Sequence, residues 1–138
     1  MKKNITVLRN LILAGSIYFV AVAIVHQIGI KIPLLFIYFD VFSFEYQDRI
    51  ISFLAFGWAV FFFSAYKISI KNIEIVKYLI SAGTVGVLGL TLNNLRTDFS
   101  KISSKSNIWF HWVGTFALLI YLVSLIVFYK KSFKIGEL

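Results

Sequence analysis

Apolar positions fall in four long runs separated by short polar intervals. The runs extend from about Val7 to Ile28, Ile50 to Tyr66, Ile75 to Leu92 and Ile108 to Tyr129. Each approaches the ~20 residues that carry a helix across ~30 Å of hydrocarbon. Backbone amides in lipid must be satisfied within their own segment, which favours helices. The pattern therefore predicts an all-α integral membrane protein: one domain over 1–138, a four-transmembrane-helix up-down-up-down bundle.

The spacing of small residues predicts the packed faces, because only small side chains let membrane helices approach closely. The second run carries Asp48, Ser52, Ala55, Ala59 and Tyr66 on one side. The third carries Ala82, Gly86, Gly89 and Asn93, and the fourth Gly114, Ala117, Tyr121 and Ser124. In the first, Gly15, Phe19, Val22 and His26 share a side. Gly86 and Ala55 are expected at helix–helix contacts. Phe53, Phe56, Val60 and Phe63 share the opposite face of the second run with Arg49, a lipid-facing pattern with Arg49 snorkelling to headgroups.

The stretch from Gly29 to Tyr46 fits neither a span nor a solvated loop. It is rich in Ile, Leu, Phe and Tyr, yet Pro33 and Asp40 interrupt it. We read it as an interfacial or re-entrant segment on the outer surface, between the first and second helices. Its aromatics either form a belt at headgroup depth or wall a ligand site at the end of the bundle.

Composition supports the membrane assignment and narrows the chemistry. Hydrophobic residues make up 59% of the chain and mean hydropathy is +0.86, more apolar surface than a small soluble domain can bury. A net charge of +8 in a soluble protein would suggest nucleic acid, but these basic residues lie between apolar runs, where they orient insertion. No nucleic-acid partner is expected; the partners are the bilayer and either a membrane protein or further copies of the chain. With no cysteine, disulfides and thiolate chemistry are excluded. Ala21-Val22-Ala23 looks like a signal-peptidase site, but apolar sequence resumes at Ile24, so the first run reads as a retained anchor.

Lysine and arginine counts set the orientation. Lys2, Lys3, Arg9, Lys67, Lys71, Lys77, Lys130, Lys131 and Lys134 lie on one side, against Lys31, Arg49, Arg96, Lys101 and Lys105 on the other. The excess places both termini in the cytoplasm. Asp40, Glu45, Asp48 and Asp98 then lie outside, with Glu74 and Glu137 inside. Lysine strongly outnumbers arginine, as in AT-rich bacterial genomes, which points to a multi-pass protein of the plasma (bacterial inner) membrane.

Alternation of the spans brings most polar residues to the outer end: His26, Gln47, Asp48, Asn93, Asn94, Arg96 and His111, with Trp109 and Trp112 at the interface. The candidate ligand- or metal-site residues are His26, Asp48, Asn93 and His111, supported by Gln47, Asn94, Arg96 and Trp112. Two imidazoles and a carboxylate could bind a metal ion, and His26 with His111 could ligate haem. A His–Asp pair could serve as a general base, Asn93 could polarise an oxyanion, and Arg96 could hold a phosphate. The plainer alternative is that polar groups gather at helix ends because water is there. No HExxH, GxSxG, GxGxxG or P-loop motif occurs. The expected function is a binding or accessory subunit with a ligand, lipid or metal site at the outer end. The alternative is a membrane-embedded enzyme acting on an amphiphile. A channel is disfavoured, because no polar residue lines the middle of a span.

Overall fold

The computed structural model describes residues 2–101 and 107–133; the side chains of Lys2 and Ser100 are not among those described. Lys105, Lys134 and Glu137, used in the charge asymmetry, lie outside this set. The fold is all-helical: α1 (Lys2–Ile28), α2 (Glu45–Ile68), α3 (Glu74–Arg96) and α4 (Ile108–Ser132), with a short 3₁₀ turn at Phe99–Lys101. Each of the four long helices is long and apolar enough to cross a membrane. All extend beyond the apolar runs, because polar residues such as Lys67 and Arg96 continue the helices past them.

Hydroxyl groups lock α1 to its neighbours. The Ser16 hydroxyl donates to the Ala59 carbonyl at 2.9 Å, and the Ser52 hydroxyl to the Ala23 carbonyl at 2.8 Å. These contacts run in opposite chain directions along α1 and α2. On the α4 side the Tyr121 hydroxyl donates to the Leu11 carbonyl at 2.7 Å. Asp48, Ser52, Ala55 and Ala59 are buried on α2 and Phe53 is 76% exposed, as the small-residue stripe predicts, whereas at the end of the helix Ala65 is buried in place of the expected Tyr66, which is only partly buried. Leu8, Ile12, Phe62, Ala65, Val76, Leu79 and Leu125 form the core at the end remote from the 29–44 segment.

The α3 helix departs from the pattern. Its buried residues are Val76, Leu79 and Asn94, not the Ala82–Gly86–Gly89–Asn93 stripe. A Cβ placed on Gly86 or Gly89 would meet nothing within 4 Å, so Gly86 is not at a helix–helix contact. The reason is what fills the bundle. The 29–44 segment folds in at one end, and α3 leans on α4 through Leu79, Gly83 and Asn94, leaving open space beside its glycines.

The segment joining α1 and α2 is held down along its length. Gly29 turns the chain at φ +74°, a left-handed conformation that favours glycine. A tight turn at Pro33–Phe36 follows, with Leu34 at φ +71°. The Tyr18 hydroxyl donates to the Leu34 carbonyl at 2.8 Å, and the Lys31 ammonium donates to the Val41 carbonyl. Phe36 is buried, which fixes the turn against the bundle.

Candidate functional site

Two polar clusters lie at the end of the bundle covered by the 29–44 segment. The first joins α1 to the first turns of α2. His26 Nδ1 stands 3.6 Å from Asp48 Oδ1, and the residues are only 7% and 6% exposed. The Ser43 hydroxyl donates to Asp48 Oδ2 at 2.9 Å. The Phe36 ring stacks on the imidazole, with centroids 3.4 Å apart. His26 Nδ1 and Asp48 Oδ1 are buried and have no hydrogen-bond partner among the described residues.

The second cluster fastens the segment to α3 and α4. Asp40 Oδ1 lies 2.7 Å from His111 Nε2, and Asp40 Oδ2 accepts the Asn107 backbone N–H at 2.7 Å. His111 is fully buried, edge-on to Tyr38 and Phe99. The Tyr38 hydroxyl donates to Asn94 Oδ1 at 2.9 Å and accepts from Asn93 Nδ2 at 2.6 Å. Asn94 in turn donates to the Thr115 hydroxyl at 3.0 Å. Burial alone would raise the Asp40 carboxyl, but the His111 and Asn107 hydrogen bonds outweigh it and hold the group below its ordinary range. Burial pushes the Tyr38 hydroxyl up, opposed by the hydrogen bond from Asn93.

The structure thus brings His26 and Asp48 together and sends His111 to a different carboxylate. Asn93, expected to face directly inward, is exposed at the residue level and reaches Tyr38 only from the side. The buried asparagine is its neighbour Asn94, because α3 is rotated to present residues 79 and 94 to α4. Gln47 acts locally, its side-chain oxygen accepting the Phe44 backbone N–H at 3.0 Å at the start of α2. Arg96 is exposed, and Trp112 is half-buried against Phe116. Among the described residues no three His, Asp or Glu side chains gather as a metal-binding group. His26 faces Asp48 and His111 faces Asp40, so the two imidazoles are paired with different carboxylates.

Asp40, Tyr38, Ser43 and Thr115 were missed by sequence reasoning. The signal for Asp40 was present: a carboxylate within an apolar stretch must be hydrated or partnered.

A cavity of about 940 Å³ opens beneath the segment and is walled by all four helices. From His26 it descends along α1 to Ala14, about 18 Å at 1.5 Å per residue. Its walls are apolar and aromatic, including Phe19, Trp58, Phe62 and Leu90, and Gly83 and Gly86 widen it on the α3 side. His26, Ser43, Asp48, Tyr38 and Asn93 lie at its polar end. Among the described residues no lysine or arginine lines it, but the Lys31 ammonium, bonded to the carbonyl of the lining residue Val41, lies near enough to His26 for its charge to act there. No protein-family model matches the chain, and no curated protein or solved structure is significantly similar to it.

Proposed function

We propose that this chain is a binding protein for a membrane amphiphile, set in the plasma membrane as an up-down-up-down bundle with both termini cytoplasmic. The ligand's apolar chain lies in the cavity and its polar head at the His26–Asp48 pair on the outer side. One observation carries this reading: a deep apolar cavity walled by all four helices has polar side chains, His26, Tyr38, Ser43, Asp48 and Asn93, gathered at one end. Sites for small amphiphiles are mostly apolar pockets of ~300–1,000 Å³ with a few convergent polar groups, and this cavity lies in that range. Enclosure of a polar pair by the 29–44 segment also separates the head from bulk water, where its hydrogen bonds would be weak.

Topology is tested by labelling. The chain has no cysteine, so Lys71→Cys and Lys101→Cys each introduce a single thiol. A membrane-impermeant maleimide applied to intact cells should label position 101 and spare position 71. Labelling of position 71 from outside overturns the orientation.

Binding is tested with Trp58, which lines the cavity. With Trp109 and Trp112 replaced by Phe, it is the remaining tryptophan. A brominated long-chain alcohol should quench it saturably in detergent. Gly86→Phe, which fills open space on the cavity wall, should abolish saturable quenching while leaving the thermal midpoint within a few degrees. Equal, unsaturable quenching in both proteins counts against a ligand cavity.

A further inference from the structure

We infer that the ligand enters this cavity sideways, through a mouth between α2 and α3, and so is drawn from the surrounding bilayer rather than from water at the end of the bundle. The inference rests on the amphiphile-binding reading above and specifies where its ligand comes from. The other approaches are closed by direct contacts. The α1–α2 seam carries the Ser16 and Ser52 hydroxyl bonds, and the α1–α4 seam carries the Tyr121 bond to Leu11. Between α3 and α4, Leu122 stands 3.4 Å from the Cβ position of Gly83, and Asn94 bonds to Thr115 nearer the other end. The 29–44 segment roofs the bundle. It is fastened from Leu34 to Tyr18, from Tyr38 to Asn93 and Asn94, and from Asp40 to His111 and Asn107.

The α2–α3 seam is different. The two helices meet at the inner end, where Phe62 and Ala65 share a core with Val76 and Leu79. The long-range hydrogen bonds of α3 side chains run to Tyr38 and Thr115, and among the described residues none runs to α2. At about 100° per residue, Gly83 and Asn94 fall on the edge of α3 toward α4, and Gly89 and Asn93 on the opposite edge, with Gly86 between. A Cβ on Gly86 or Gly89 meets nothing within 4 Å, and both residues are exposed although Gly86 lines the cavity. On α2, Ile51 likewise lines the cavity and is exposed, and Trp58 lines it two turns further in. The cavity thus reaches the outer surface along this seam, where an aliphatic chain passes without leaving apolar surroundings. Entry from water would instead require the 29–44 segment to give up several buried hydrogen bonds together, leaving their groups unsatisfied.

The chain has no cysteine, so a single thiol at the mouth is modified after the protein has folded. Gly89→Cys puts that thiol on the seam. Leu88→Cys puts it at the same depth but about 100° round the helix, at an exposed position outside the cavity lining. Each full-length protein is read in detergent with Trp58 as reporter, by stopped-flow quenching with the brominated long-chain alcohol, before and after reaction with a bulky aryl maleimide. The adduct at position 89 should slow association and dissociation alike, each by about tenfold, with the dissociation constant held within about twofold. An obstructed mouth raises the barrier without altering either end state. The adduct at position 88 should change neither rate. Unchanged rates at position 89, or equal slowing by both adducts, overturn sideways entry. A weakened affinity at position 89 with association undiminished places that residue in the site rather than at its mouth, and overturns it too. If the unmodified proteins show no saturable quenching, the amphiphile reading itself falls, an outcome separate from any difference between the adducts.

Discussion

Gly15→Ala is expected to lower stability by roughly 1–3 kcal/mol, the usual cost of overpacking a filled core. A Cβ at this position would lie 2.3 Å from the Tyr121 hydroxyl oxygen and 2.4 Å from the Phe62 ring. Neither neighbour can give way easily. Phe62 is buried in the main core, and the Tyr121 hydroxyl is held by the Leu11 carbonyl at 2.7 Å. Side chains of α2 and α4 thus meet α1 closely at Gly15, and the absence of a side chain there makes room for the Tyr121 hydroxyl and the Phe62 ring. Gly57→Ala and Gly86→Ala serve as controls, since a Cβ at either position meets nothing within 4 Å. Each should be neutral or stabilising by up to ~1 kcal/mol through helix propensity. Thermal unfolding in detergent reads all three. Tyr121→Phe removes one of the clashing atoms and should recover part of the loss in the Gly15→Ala background, a coupling that a double-mutant cycle isolates. Equal midpoints for the Gly15 and Gly86 variants would remove the claim that this crossing is tight.

Element identity was legible in the chain because apolar runs of this length are those a membrane-crossing helix would need, and each of the four is a helix long and apolar enough to cross a membrane. The α2 face was legible for a related reason: Ser52, Ala55 and Ala59 have a neighbour, α1, that uses their small size. The same reasoning misplaced α3, where Gly86 and Gly89 border open space. A small residue signals close approach only if another backbone takes up the room, and a stripe of glycines reads identically when it widens a cavity. The His26–Asp48 juxtaposition was legible because the two helices adjoin in sequence, so that Ile28 and Glu45, the end of α1 and the start of α2, lie at one end of the pair. The partner of His111 was not. Asp40 lies 71 residues away within an irregular segment, where no periodicity fixes the direction of a side chain. Tyr38 and Ser43 were hidden for the same reason, and Asn93 was preferred to Asn94 through a one-residue error in helix phase, about 100° of rotation.

Removing the Asp40 carboxylate should destabilise the end of the bundle that holds the candidate site, and the loss should depend on pH. Asp40 satisfies two donors at once, His111 Nε2 and the Asn107 backbone amide that opens α4. His111 is fully buried, so Asp40→Ala strands its Nε2 away from water. Leaving a buried polar group unpaired costs about 1–3 kcal/mol, and more where a charged partner is lost. The sign of the pH effect follows from the direction of the shift. The folded protein holds the Asp40 carboxyl below its ordinary value, because the two hydrogen bonds outweigh the burial that would raise it. The folded state therefore gains from the ionised form. That gain is complete above the unfolded carboxyl's value of about 4 and is lost as pH falls through the lower folded value. Wild-type stability should thus decline toward the Asp40→Ala level below about pH 4, whereas the variant's own curve lacks that component. The difference between the two thermal midpoints, measured in detergent from neutral pH downward, reads the effect directly. A difference that stays constant across the acid range would mean that Asp40 contributes through packing alone. The 29–44 segment would then be held by Phe36, Tyr18 and Tyr38 rather than by the carboxylate that joins it to α4.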